Sequence, residues 1–469
     1  MDRGKQAVKA GIGYTLGNIL VKGISFLSIP LFARLLSVSD YGIINAFTAY
    51  ASILFVIVGL ALHSSLRNAY LDFNDDIESY CSSLTILPIA CFCFFLVISV
   101  LWGDSLADAL SLEHGYLVCL LAAESFCMAL NTYYNSVLAL NYQYKEYLIL
   151  SLMYAVSGIA ISVFFIVTAF TQERYLGRIW GMLISGIIAS AFILFRLYRR
   201  EKPRINVSYW KYGLKISLPI IPHGLSQILL SQFDRLMIKS INGNSEAGLY
   251  SFAYTLGSIY QVIANSIDTA WNQWFFEQMS KKGYAKIKKT ANYYTGLLTV
   301  GAIILGLVSP ELIRIMGGSK YNDSKYVTLP IVLSMYYAAM YALPASVEYF
   351  YKKTKLIAVG TMVAAGLNII LNGIFIPLYG YIAAAYTTLF CYFIYFIMHM
   401  ILAYRVHGEM IYDARRMICN VAAATVAILG IQLLIDLFYI RAIMVIALFF
   451  FTIIEYYNWK NKKWRNETR

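Results

Sequence analysis

Charge is what this chain has least of: Asp, Glu, Lys and Arg together make up 13% of its 469 residues. A soluble protein of that length could not cover its surface with so few polar groups, and the 59% apolar content far exceeds that of soluble domains. No Gly-x4-Gly-Lys-Ser/Thr loop is present, which argues against ATP hydrolysis by this chain. Cysteine is rare, with 7 residues, and Cys91-Phe92-Cys93 is the only close pair. No His or carboxylate stands near that pair at ligand spacing, so the cysteines read as small core hydrophobes, and neither a metal nor a cofactor is expected. The apolar run 11–36 is too long for the ~7–15-residue core of a cleavable signal peptide.

What the chain has in abundance is long apolar runs. A membrane-crossing helix needs about 20 mostly apolar residues. Fourteen segments qualify: 11–36, 41–64, 83–103, 115–140, 147–170, 176–197, 212–240, 247–275, 291–312, 327–350, 355–376, 380–404, 417–436 and 440–458. Those starting at 212 and 247 carry charges and are expected to be irregular. With the N-terminus inside, 28 of the 38 basic residues fall in inner segments. Six fall in outer loops: Arg174, Arg178, Arg314, Lys320, Lys325 and Arg441. That bias puts both termini in the cytoplasm. Topology and anionic lipid then account for the net charge of +13, and no nucleic-acid partner is implied. Most of the 39 tyrosines suit the membrane interface, where a ring can be apolar and its tip wet.

The second half repeats the first. Lys22-Gly23-Ile24-Ser25 and Phe32-Ala33-Arg34-Leu35 recur 201 positions on as His223-Gly224-Leu225-Ser226 and Phe233-Asp234-Arg235-Leu236. Asp40-Tyr41-Gly42 is answered by Glu246-Ala247-Gly248. Six spans per half is an even number, so both copies have the same orientation, a parallel repeat about the membrane normal. The expected organisation is an all-α polytopic protein: a six-helix bundle at 1–197, a basic cytoplasmic linker at 198–211, a second bundle at 212–404, and two extra helices with a basic tail at 405–469.

The opening run Gly13-Tyr14-Thr15-Leu16-Gly17-Asn18, with Lys22-Gly23-Ile24, Pro30, Arg34-Leu35-Leu36 and Ser39-Asp40-Tyr41-Gly42, resembles that of the Wzx-type polysaccharide flippases. These belong to the multidrug/oligosaccharidyl-lipid/polysaccharide exporter superfamily. Ser245-Glu246-Ala247-Gly248-Leu249-Tyr250 and Tyr379-Gly380-Tyr381-Ile382-Ala383-Ala384-Ala385 are similar to later motifs of the same family. The resemblance implies a V-shaped, MATE-like pair of bundles around a hydrophilic cavity. It implies alternating-access transfer of an undecaprenyl-diphosphate-linked oligosaccharide repeat unit to the outer leaflet of a bacterial inner membrane. A polysaccharide polymerase and a chain-length regulator are candidate partners, and without an ATP-binding loop the energy would come from an H+ or Na+ gradient, from membrane potential, or from downhill removal of flipped substrate.

Ionisable groups inside the spans are the candidate site, because each costs at least ~2.5–3.5 kcal/mol near the bilayer centre. Lys22 lies ~16 Å into its span at 1.5 Å per residue. His223 holds the matching place in the second repeat. One cation from each repeat could meet a diphosphate on the pseudo-symmetry axis. Arg34 and Arg235 are further cavity candidates, though they lie nearer the outer ends, where long side chains can instead snorkel to headgroups. Glu124 is the most central carboxylate, with Asn131 and Asn135 on nearly the same helix face, and its protonation is the expected coupling event. Asp268, with Asn272 beside it, and Glu348 lie toward the cytoplasm as gate or coupling groups. Asn368 and Asn372 read as interhelical glue. Pro219 and Pro222, just before His223, should break or kink their helix.

Two rival functions remain open on sequence. An integral-membrane glycosyltransferase or polymerase would be expected to carry catalytic groups in a sizeable outer loop, and none exceeds about twenty residues. A drug/cation antiporter would be expected to have an acidic cavity, opposite in sign to Lys22 with His223.

Overall fold

The computed structural model describes residues 3–450, and these form helices and turns with no strand among them. The first half contributes α1 (Arg3–Leu35), α2 (Val38–Val58), α3 (Asn74–Leu101), α4 (Tyr116–Leu140), α5 (Tyr144–Thr168), α6 (Arg174–Arg200) and α7 (Ile221–Asn242). Then come α8 (Asn244–Ser280), α9 (Tyr284–Gly317), α10 (Ser319–Phe350), α11 (Thr354–Tyr379), α12 (Tyr381–His407), α13 (Ala414–Leu433) and the shorter α14 (Phe438–Phe450). Among the described residues, 11 helices are long and apolar enough to cross a membrane. The predicted spans 212–240 and 247–275 are helical as α7 and α8 but fall outside that set, in keeping with the charges they carry. The predicted span 440–458 runs past the described residues, and so does the basic tail.

By packing, the chain divides into two compact units, Met1–Gly248 and Leu249–Arg469. The division comes later than the basic segment 198–211, because α7 packs on α2 and so joins the first unit. Inside each unit the partners recur. In the first, α3 packs on α4, α4 on α6, and α5 on α6; in the second, α9 packs on α10, α10 on α12, and α11 on α12. The turns preceding α5 and α11 also match, with Tyr142 at φ 53° and Lys352 at φ 58°. Four consecutive helices of each half thus share one order of packing.

Local chemistry explains where helices stop. Ser37 caps α2: its side chain accepts from the Asp40 amide while the Asp40 carboxylate accepts from the Ser37 amide. This reciprocal box satisfies two otherwise orphaned donors. Leu60 and Ala61 take left-handed backbone (φ 49° and 48°) and end α2 at Val58, short of the expected 64. Pro219 breaks the helical path as expected. Helix Val207–Ser217 gives way to a 3-10 turn at Leu218–Ile220, and α7 begins at Ile221 with Pro222 in its first turn, where no amide is missed.

The Asp40-Tyr41-Gly42 and Glu246-Ala247-Gly248 echo acquires a physical reason. A Cβ on Gly42 would lie 1.9 Å from the Asn244 carbonyl oxygen, and one on Gly248 would lie 2.0 Å from the Val38 carbonyl oxygen. Each glycine stands four residues after the carbonyl that the other covers. Such reciprocity is the mark of a two-fold contact, here between two copies of a motif in one chain. Backbone meets backbone, and no side chain fits.

A candidate anion-binding cavity in the first unit

Between α1, α2, α5 and α6 lies a cavity of about 390 Å³. Ser25, Ser28, Asn45, Thr48 and Ser185 supply its polar lining, and Phe32, Tyr41 and Tyr154 its aromatic walls. The one formal charge on its wall is Arg178. Arg178 Nη1 donates to Ser162 Oγ at 3.0 Å and to the Gly158 carbonyl at 3.4 Å, and the guanidinium lies 4.2 Å over the Phe32 ring. Among the described residues no carboxylate comes within 4.0 Å of it. α5 and α6 approach closely enough to half-bury it because Gly177, Gly181 and Gly158 present backbone to one another's helix; a Cβ on Gly181 would collide with Ser162. A guanidinium held by neutral acceptors and an aromatic face keeps its charge and much of its donor capacity for something else.

Sequence reasoning assigned Arg178 to an outer loop, but the structure places it within α6. The missed signal was helical spacing: Arg174 and Arg178 are one turn apart and take different roles. Arg174 Nη1 caps the end of α1 by donating to the Leu35 carbonyl at 2.8 Å, while Arg178 turns inward.

The expected site residues are distributed differently. Lys22 is exposed on α1, one residue from the cavity-lining Val21, and makes no hydrogen bond or ion pair with His223 among the described residues. His223 is half-buried, with Gln227 Nε2 at 3.4 Å from its Nε2. Arg34 is exposed, whereas Arg235 is 7% exposed inside the first unit. α7 buries Arg235 where α1 leaves Arg34 outside.

Glu124 is buried in α4, with the Tyr154 hydroxyl 3.4 Å from Oε1 and no partner on Oε2. Tyr154 connects it to the cavity wall. Asn131 and Asn135 bond to each other at 2.9 Å and do not line the cavity. In the second unit, Asp268 accepts from Asn272 at 2.8 Å, and Asn272 accepts from Ser346 at 2.7 Å. Asn368 and Asn372 form interhelical glue as expected: Asn368 donates to Thr388 at 3.1 Å, and Thr387 donates to Asn372. Glu348 pairs with His399, a residue the sequence reading passed over.

The fold is that of a known class of transporters. The chain superposes on the lipid II flippase MurJ in an inward closed conformation with a TM-score of 0.74, at 14% identity, covering 95% of this chain and 99% of that one. An inward-facing multidrug resistance MATE transporter of the MOP superfamily gives 0.62 at 15% identity, covering 82% and 98%. The helices define a polytopic all-helical protein, and its fold is the one these two solved structures share.

Residues 7–272 match the family described as polysaccharide biosynthesis protein, and the chain belongs to that family. It is similar to protein 1 of the Lsg locus of Haemophilus influenzae, 21% identical over 367 residues, 75% of this chain and 86% of that protein. A second membrane protein of the same organism is 20% identical over 361 residues, 73% and 83% respectively.

Proposed function

We propose that this transporter flips an undecaprenyl-diphosphate-linked oligosaccharide repeat unit from the cytoplasmic to the outer leaflet of a bacterial inner membrane. The observation that carries the proposal is Arg178: a half-buried guanidinium with no carboxylate within 4.0 Å among the described residues, on the wall of a cavity that sets hydroxyls, an amide and aromatic rings among aliphatic side chains. Guanidinium donors suit phosphate oxygens, and hydroxyls with ring faces suit sugars. Lys22, exposed on the same bundle, adds a second cation along the route, and His223 a third group that gains charge on protonation. Family membership supports the glycan, and the basic bias supports cytoplasmic termini. Two parallel six-helix bundles with two further helices complete the architecture, and an ion gradient supplies the energy.

The test uses the purified chain in vesicles containing fluorescent undecaprenyl-diphosphate disaccharide, with outer-leaflet probe quenched over time. Protein-dependent transfer of this lipid, with no transfer of lipophilic cations, is the expected result. The reverse pattern would favour a drug/cation antiporter, the reading that Glu124 behind Tyr154 would then serve.

A further inference from the structure

In the second unit, far along the chain from the cavity, α10 and α12 bury an acid against a base. His399 Nδ1 lies 2.6 Å from Glu348 Oε1, and both side chains are 0% exposed. Glu348 Oε2 and His399 Nε2 have no hydrogen-bond partner. The Tyr341 and Tyr395 rings stand edge-on to the imidazole, at 4.8 and 4.7 Å. On the far side Gly360 closes the pocket: a Cβ there would lie 2.5 Å from Nε2. The groups that face the pair are phenols, namely Tyr341 and Tyr349 from its own helix and Tyr395 from α12, which bonds on to Thr361 of α11 at 3.0 Å. Among the described residues neither Lys nor Arg pairs with Glu348.

This is an expensive arrangement for a merely structural contact. Two buried polar atoms are left unpaired, each costing about 1–3 kcal/mol, in a span where apolar side chains would pack at no such cost. A sealed acid–base pair is tolerated in low dielectric when its charges sum to zero, which requires one proton more than carboxylate plus neutral imidazole. Losing that proton strands a net negative charge. A half-exposed phenol stands beside it. Tyr349 follows Glu348 in sequence, is 45% exposed, and interacts electrostatically with both Glu348 and Asp268.

We infer that the Glu348–His399 pair is the proton-binding site that couples this transporter to a proton gradient, holding one proton while sealed and releasing it, through Tyr349 and Asp268, when the helices part. This deepens the transport reading by naming the coupling ion, and it moves coupling from Glu124 to the second unit. No covalent step is involved: the proton shared between Oε1 and Nδ1 leaves as hydronium, and one from the opposite side replaces it.

Two measurements test it, the first without substrate. In lipid nanodiscs, pH-difference infrared spectra of the full-length protein should show a buried carboxyl band that disappears in Glu348→Gln. The 15N spectrum of ring-labelled histidine should show one imidazole whose pH response is lost in the same variant. In vesicles with the fluorescent lipid diphosphate, an imposed pH gradient should alter the parent's transfer rate. Glu348→Gln and His399→Gln should transfer lipid without responding to the gradient, and the swap Glu348→His with His399→Glu should restore the response. A monodisperse Glu348→Gln protein that keeps both the band and the gradient response overturns the inference. So does a response abolished only by changing Glu124. Should the parent move no lipid diphosphate at all, the flippase reading fails, and the spectra still decide the proton site.

Discussion

Replacing Arg178 with Met separates a binding role from a structural one, because the two predict opposite effects on stability. Methionine has similar length and no charge. The change removes charge-assisted hydrogen bonds worth about 1.5–3 kcal/mol and a desolvated cation–π contact worth about 2 kcal/mol. It also removes the desolvation cost of a partly buried ion, up to several kcal/mol, together with the attraction between that ion and Glu124. Ser162 is not orphaned, since its hydroxyl also donates to the Gly158 carbonyl. The terms nearly cancel, so Arg178→Met should unfold at or above the parent's temperature in a detergent melt. A ligand diphosphate would lose one charge-assisted bond, about 1.5–3 kcal/mol, so affinity for undecaprenyl diphosphate should fall about 10–150-fold. Arg178→Lys should bind partially, because it keeps the charge and loses the fork and the stacking on Phe32. A strongly destabilised Arg178→Met would make the guanidinium structural, and unchanged binding in a stable variant would refute an anion site.

Lys22→Gln should abolish surface glycan while leaving protein level and insertion intact, and Lys22→Arg should retain part of the function. Undiminished glycan in Lys22→Gln would remove Lys22 from the route. Gly42→Ala should lower the melting temperature, since a Cβ 1.9 Å from a carbonyl oxygen forces the backbones apart, at about 1–3 kcal/mol or more. Gly23→Ala, with nothing within 4 Å of its Cβ, should be neutral or stabilising by up to ~1 kcal/mol, and is the matched control. Cysteine labelling in whole cells should leave 198–211 and 281–289 protected and label 104–114 and 315–325. Labelling of 198–211 from outside would reverse the orientation.

Composition and order along the chain determine much of this protein without any tertiary structure. Apolar runs about 20 residues long must become helices wherever water cannot satisfy the backbone, which is why the apolar spans are helical. Pro219 lacks the amide that a continuous helix needs, so the break before α7 is legible from its letter alone. The echo of Gly42 in Gly248 is visible as spacing, but its cause, each glycine lying on the other repeat's carbonyl, emerges only when α2 and α8 meet. Tertiary packing likewise decided the fate of each ionisable side chain. Arg34 and Arg235 occupy matched places in the repeat, yet one is exposed and the other buried, because burial depends on the neighbouring helix rather than on depth along one's own. Asn131 and Asn135 share a face as periodicity requires, and Asn135 donates to Asn131. Sequence alone reads Arg178 as an outer-loop residue and passes over His399, because a single letter inside a helix does not say which way it points. Helix contacts turn the first toward a hollow and press the second against Glu348, 51 residues away in sequence and 2.6 Å away in space.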